Sequence, residues 1–140
     1  MLKIESIQNG VVIDHITNGQ GMNIYQLLHL EDQKQSVALL QSVRSQKYGH
    51  KDLIKIEGET LPERLDILGY LDDKITLIVI RDGEVVKKYH PVPPEYLKNV
   101  IQCKNPRCIT SIEIGCDHIF KMSPSGIYRC IYCNQKISVH

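Results

Sequence analysis

The spacing of apolar residues over positions 1–90 changes period several times, and each change marks an element. Ile4 to Ile7 and Val11 to Ile16 predict strand, with Asn9-Gly10 between them as a turn signal. Ile24, Leu27 and Leu28 fall at helical spacing and predict a short helix over about residues 20–31. Residues 36–43 and 53–57 predict two further strands, the second with Ile54 and Ile56 on its core face. Thr60 and Glu63 form a capping box, and Leu61, Leu65 and Leu68 then share a helical face. Residues 75–80 are apolar at both parities, which predicts a strand buried on both sides. Asp82-Gly83 predicts a tight hairpin turn, and residues 85–89 pair back along it. Helices between pairs of strands predict an α+β domain of split β-α-β, ferredoxin-like type. The open face of such a sheet needs a second layer, expected to come from another copy of the chain.

The pattern breaks at Pro91-Val92-Pro93-Pro94, which cannot sit in a central strand and reads as a stiff extended link. All five cysteines follow it. Two domains are expected, residues 1–94 and 95–140. With no Trp and one Phe in 140 residues, the core must be built from Ile, Leu and Val. The longest apolar run, at 75–80, falls far short of the roughly 20 residues that span a bilayer. The N-terminus lacks the apolar stretch of a secretory signal. A cytoplasmic protein with no membrane partner is expected.

Five cysteines in such a chain point to metal or catalysis rather than disulfides. Cys103-x4-Cys108 and Cys130-x2-Cys133 are two close pairs that can converge on one ion. Four thiolates suit zinc, and a closed tetrahedral shell leaves no place for water, so one structural zinc per chain is expected. A region of about forty residues buries too little surface to be stable alone, and metal binding supplies folding free energy. Buried unliganded cysteines or a redox Cys-x-x-Cys remain the alternatives. Cys116 is left over as a packed free thiol, and His118 or His140 could replace a ligand in principle.

Polar groups also cluster before the prolines. Asp14-His15 ends an apolar run, Lys51 and Lys55 share the outer face of one strand, and Lys87-Lys88 and His90 close another. Strand rise sets the α-carbons of Lys51 and Lys55 roughly 13 Å apart. That span suits a ligand as long as a nucleoside triphosphate, with lysines as point charges on phosphate and an Asp accepting from ribose. Lysines there can equally serve only to solvate the strand. No glycine-rich phosphate loop is present.

Residues 12–16 (Val-Ile-Asp-His-Ile), residues 51–57 (Lys-Asp-Leu-Ile-Lys-Ile-Glu) and the cysteine tail occur in that order. Together they closely resemble the regulatory chain of aspartate carbamoyltransferase, over nearly the whole sequence. The resemblance implies a noncatalytic subunit with an N-terminal allosteric domain and a C-terminal zinc domain. It implies regulatory homodimers joined through the first domain. The second domain would grip the catalytic chain in a dodecamer of six catalytic and six regulatory chains. CTP, often with UTP, would inhibit and ATP activate the first committed step of pyrimidine synthesis. Carried over by position, Asp14 would hold ribose and His15 would lie near the phosphates. Lys55 would contact base and ribose, and Lys88 the triphosphate, with Lys51 close by. Ile7, Ile80 and Val85 would line the base pocket, and Asn105 would face the catalytic chain. The sequence departs from the family pattern where Gly83 replaces a Tyr near the base and His90 an Arg before the proline. It departs again where Ile78 replaces an Asn near the phosphates, Arg107 an Asn, and Asn134 a Glu. These positions bear on base preference and strength of response.

Two other functions compete. A nucleic-acid-associated zinc ribbon draws on the basic residues of the tail, but net charge is only +1 and no row of aromatics is present. A redox enzyme would use Cys-x-x-Cys, and tight metal retention under mild oxidant would exclude it.

Overall fold

In a computed structural model, which describes residues 7–32, 34–58 and 65–137, β1 (Gly10–Thr17) is the central strand of a five-stranded antiparallel sheet. The others are β2 (Ser36–Ser45), β3 (Gly49–Glu57), β4 (Thr76–Arg81) and β5 (Glu84–Tyr89), in the order β2-β3-β1-β4-β5. The first four strands have the ferredoxin-like order, and β5 extends the sheet as a hairpin from β4. The hairpin turns at Asp82-Gly83, both with positive φ (52° and 79°), the conformation that matches strand twist.

Helix α1 (Gly21–Leu27) follows β1, and α2 (Leu68–Leu71) precedes β4 after a 3₁₀ turn, Leu65–Ile67. Val11, Ile13, Ile54, Ile56, Leu77 and Val79 form the core face of the sheet, and Ile24, Leu28, Ile67 and Leu68 are buried from the helices. Gly69 admits the proline segment, since a Cβ there would lie 2.6 Å from the carbonyl carbon of Val92. The Thr60–Glu63 capping box, Leu61, His140 and residues 4–6 lie outside the described residues.

Asn9-Gly10, read as a turn signal, leads directly into β1. Gly10 stands inside β1, paired with Glu57 on one side and Ile80 on the other. Its lack of a side chain serves close strand approach, because a Cβ would fall 2.0 Å from the Ile56 carbonyl oxygen. Asn9 instead braces the neighbouring turns: its carbonyl accepts from Gly58 N–H (2.8 Å), and its Oδ1 accepts from Asp82 N–H (3.2 Å).

Asp52 shares the core parity of Ile54 and Ile56 and is fully buried. Its Oδ2 accepts from the N–H groups of Gly19 (3.0 Å) and Gly21 (2.8 Å). Its Oδ1 accepts from Ser42 N–H (3.0 Å) and Asn18 Nδ2 (3.0 Å). Burial alone would raise its pKa, but these four donors hold it below the usual carboxylate value.

The chain divides into two compact units, residues 1–93 and 94–140. The second is built on a three-stranded antiparallel sheet in the order β6 (Tyr96–Lys98), β7 (Ile119–Met122), β8 (Tyr128–Cys130). Leu97, Phe120 and Tyr128 form its small core, and the Tyr128 hydroxyl donates to the Pro94 carbonyl. A four-residue helix, α3 (Ile109–Ile112), follows Cys108.

Candidate functional site

The second unit gathers four thiols. Two turns supply them in pairs: Cys103 and Cys108 before α3, Cys130 and Cys133 at the end of β8. Their Sγ atoms all lie within 4.8 Å of one another. Cys103 and Cys133 are 3.6 Å apart and Cys108 and Cys130 3.7 Å, far beyond disulfide length. Sulfurs at about 2.3 Å from a central zinc sit about 3.8 Å apart at the corners of a tetrahedron. The thiols therefore already have the spacing of a tetrahedral metal shell.

The groups around the thiols orient and tune them. Thr110 Oγ1 donates to Cys108 Sγ at 3.1 Å, and this bond is the leading reason that thiol's pKa is lowered. Burial pushes Cys103 up to about 12. At Cys133 burial is outweighed, first by the hydrogen bond of the Asn105 side chain, and the thiol comes down to about 7. Asn105 also accepts from Arg107 N–H through Oδ1 (3.1 Å) and from Cys108 N–H through its carbonyl (3.1 Å). It thus holds the first turn in shape. His118 is not among the four: its Nδ1 accepts from Cys103 N–H at 3.0 Å. Cys116 lies outside the cluster and is half-buried.

In the first unit the polar residues follow one face of the sheet. Pairing places Lys55, Val12, Ile78 and Lys88 in one row across β3, β1, β4 and β5. Ile80 and Val85 pair one step toward the hairpin end. Asp14 and Thr76 pair one step the other way. From Ile80 to Thr76 is about 13 Å along the strand. The face thus runs from apolar to polar over the length of a nucleotide.

A β-bulge shapes the polar end. The β1–β3 register shifts between Ile13 and Ile16, and His15 has φ 58°. His15 is thereby turned toward a cleft of about 240 Å³. Its Nδ1 lies 3.3 Å from Thr76 Oγ1, and its ring meets the Tyr48 ring edge-on at 5.9 Å. Lys47 and Tyr48 from the β2–β3 turn, Lys74 from the turn before β4, and Lys88, Tyr89 and His90 from β5 and its end complete the lining. His90 Nδ1 donates to the Ile75 carbonyl at 2.9 Å, which fixes the orientation of the ring at the cleft wall. Burial, together with Lys51, Lys47 and Lys88, lowers the His15 pKa against the opposing pull of Asp14.

Of the eight residues expected at a nucleotide site, His15 and Lys88 line this cleft. Asp14 and Lys51 stand beside it, joined by a 2.7 Å ion pair at half-buried positions. Lys55 lies farther along the row, Ile80 and Val85 pair near the hairpin end, and Ile7 is buried next to Gln8, whose carbonyl accepts from Gly83 N–H at 2.9 Å. Sequence reasoning passed over Lys47, Tyr48, Lys74 and Thr76. The first three come from turns, where periodicity carries no signal; Thr76 had one, as the polar break in an apolar run.

Residues 2–92 match the family model described as aspartate carbamoyltransferase regulatory chain, allosteric domain. Residues 95–140 match that of the same chain's metal binding domain. The chain is 42% identical over 137 residues to the aspartate carbamoyltransferase regulatory chain of Clostridium tetani, covering 96% of this chain and 95% of that one. It is 44% identical to that of Clostridium botulinum, with 96% and 93% covered. For Bifidobacterium longum the identity is 38%, with 96% and 98% covered.

Proposed function

The chain belongs to the family of aspartate carbamoyltransferase regulatory chains, and from that premise we propose how its two units divide the work. It is a noncatalytic subunit. The first unit binds CTP and ATP, with UTP as a further ligand, and so governs the first committed step of pyrimidine synthesis in the cytoplasm. The second unit holds one zinc ion through Cys103, Cys108, Cys130 and Cys133 and docks the catalytic chain. Regulatory chains pair through their first units in a dodecamer of six catalytic and six regulatory chains.

The observation that carries the nucleotide reading is the single sheet face that runs from Ile80 and Val85 to a lysine-lined cleft. The base fits the apolar end, Asp14 the ribose, and His15 and Lys88 the phosphates, with Lys51 and Lys55 alongside and Ile7 at the base. The 3.6 and 3.7 Å sulfur spacings support zinc. The zinc, when bound, supplies the folding free energy that fixes the surface around Asn105 and the exposed Ile109, Ile112 and Ile114. A nucleotide then shifts the assembly only through its different affinity for two quaternary states.

Calorimetry of the zinc-loaded chain with CTP and ATP, with and without catalytic trimers, tests this reading. Binding of both nucleotides is expected, and absence of binding in every arm would sink it. The nucleic-acid ribbon gains no support, because Lys98 and Lys121 already face Asp117 (3.5 Å) and Glu95 (3.9 Å).

A further inference from the structure

We propose that Lys47 and Lys74, gathered around the ring of Tyr48, form a clamp for the terminal phosphates of the bound nucleotide and make this chain select ligands by polyphosphate length. The inference rests on the nucleotide reading above but assigns residues and a selectivity beyond it.

The cleft supplies three lysines, and no carboxylate lines it. Lys51 is neutralised by Asp14 at 2.7 Å and has little charge to offer a phosphate. Lys47, Lys74 and Lys88 make no ion pair among the described residues. Of the two carboxylates that precede Lys74, Asp72 is engaged by backbone donors, the N–H groups of Thr17 (2.8 Å) and Lys74 itself (3.0 Å), and Asp73 is exposed and makes no ion pair with Lys74. The positive charge of the cleft is therefore available to an anion.

Two of these lysines are also held in place. The Lys47 and Lys74 ammonium groups each lie 5.2 Å from the centroid of the Tyr48 ring, which puts them at most about 10 Å apart. The ring face attracts both cations. Tyr48 is itself positioned by the edge contact with His15. Lysines restrained before binding lose less side-chain freedom when they close on an anion.

Geometry ties the clamp to chain length in the ligand. Lys88 lies in the row nearest the middle of the sheet face, while Lys47 and Lys74 come from turns beyond its polar end. A monophosphate at Lys88 leaves the clamp empty, and added phosphates extend toward it. The chain should prefer CTP to CMP, and it should bind inorganic tripolyphosphate alone.

Titration calorimetry on the full zinc-loaded chain tests this with CTP, CMP and tripolyphosphate as probes. Both lysines are exposed, so Lys47→Gln/Lys74→Gln is expected to melt like the wild type. The CTP-to-CMP affinity ratio should fall about tenfold or more in the double variant, with CMP affinity unchanged. Tripolyphosphate binding should be lost, and Lys47→Arg/Lys74→Arg should restore both. If the wild type binds CTP and the ratio is unmoved, the clamp is wrong and the nucleotide reading stands. If tripolyphosphate binds through the two lysines while no nucleotide binds, the clamp stands and that reading falls. Binding of none of the three probes overturns both.

Discussion

Asp52 is a charged residue at a core position, and its four hydrogen bonds explain why it is tolerated. They tie the turn after β1, the N-terminus of α1 and the bulge of β2 to one carboxylate. Asp52→Asn would set an NH₂ group against N–H donors, and a loss of about 3 kcal/mol is expected. A urea midpoint measured at neutral pH checks this. The sign of the pH effect follows from the lowered pKa. Between the folded and unfolded pKa values the unfolded chain binds more protons, so stability rises with pH there. The contribution is complete above the ordinary carboxylate pKa and is lost as pH falls through the folded value. Asp52→Asn should flatten this acid limb of the stability profile; an unchanged limb would remove Asp52 as its source. Alternation alone could place Asp52 with Ile54 and Ile56 on one face. It could not supply the donors, which come from two other segments, residues 18–21 and Ser42.

The strands of the first unit were readable because apolar period and turn chemistry agreed, as at the Asp82-Gly83 hairpin. At Asn9-Gly10 the pair alone did not show that Gly10 would open a strand and let its neighbours approach closely. The bulge at Asp14-His15 was hidden for a related reason: register shifts arise from pairing between strands, not from either strand alone. The cysteine turns were plain from spacing, yet their supporting groups were not. Thr110 lies two residues past Cys108, and only the fold aims its hydroxyl at the sulfur. Removing such a supporting contact commonly weakens a metal site about 10- to 100-fold. Thr110→Val should therefore lose its bound metal to a competing chelator at correspondingly lower concentration while still folding when the metal is in excess. Equal retention by both proteins would count against the role given to Thr110. Gly69 supports α2 in a different way. A methyl group there meets the backbone at Pro91, Val92 and Pro93, and Gly69→Ala should cost about 1–3 kcal/mol in the first unit's thermal unfolding.

The two units reach stability by different routes, and that difference separates their failures. The first has an extensive core of Ile, Leu and Val and one buried carboxylate network. The second has Leu97, Phe120, Tyr128 and the thiols. At this size a core alone is marginal, so bound metal carries much of the folding free energy. Chelation of the assembled enzyme should therefore unfold residues 94–140 while residues 1–93 stay folded. Catalytic chains should be released, and nucleotide should still bind the freed regulatory chains. Hydrogen exchange would report the first effect as loss of protection confined to β6, β7 and β8. Sedimentation would report the second, and calorimetry with CTP the third. Restoring zinc should reverse all three. An assembly that stays intact with its zinc gone would mean that the docking surface does not depend on the metal. Loss of nucleotide binding with the zinc would mean that the first unit is not independently stable.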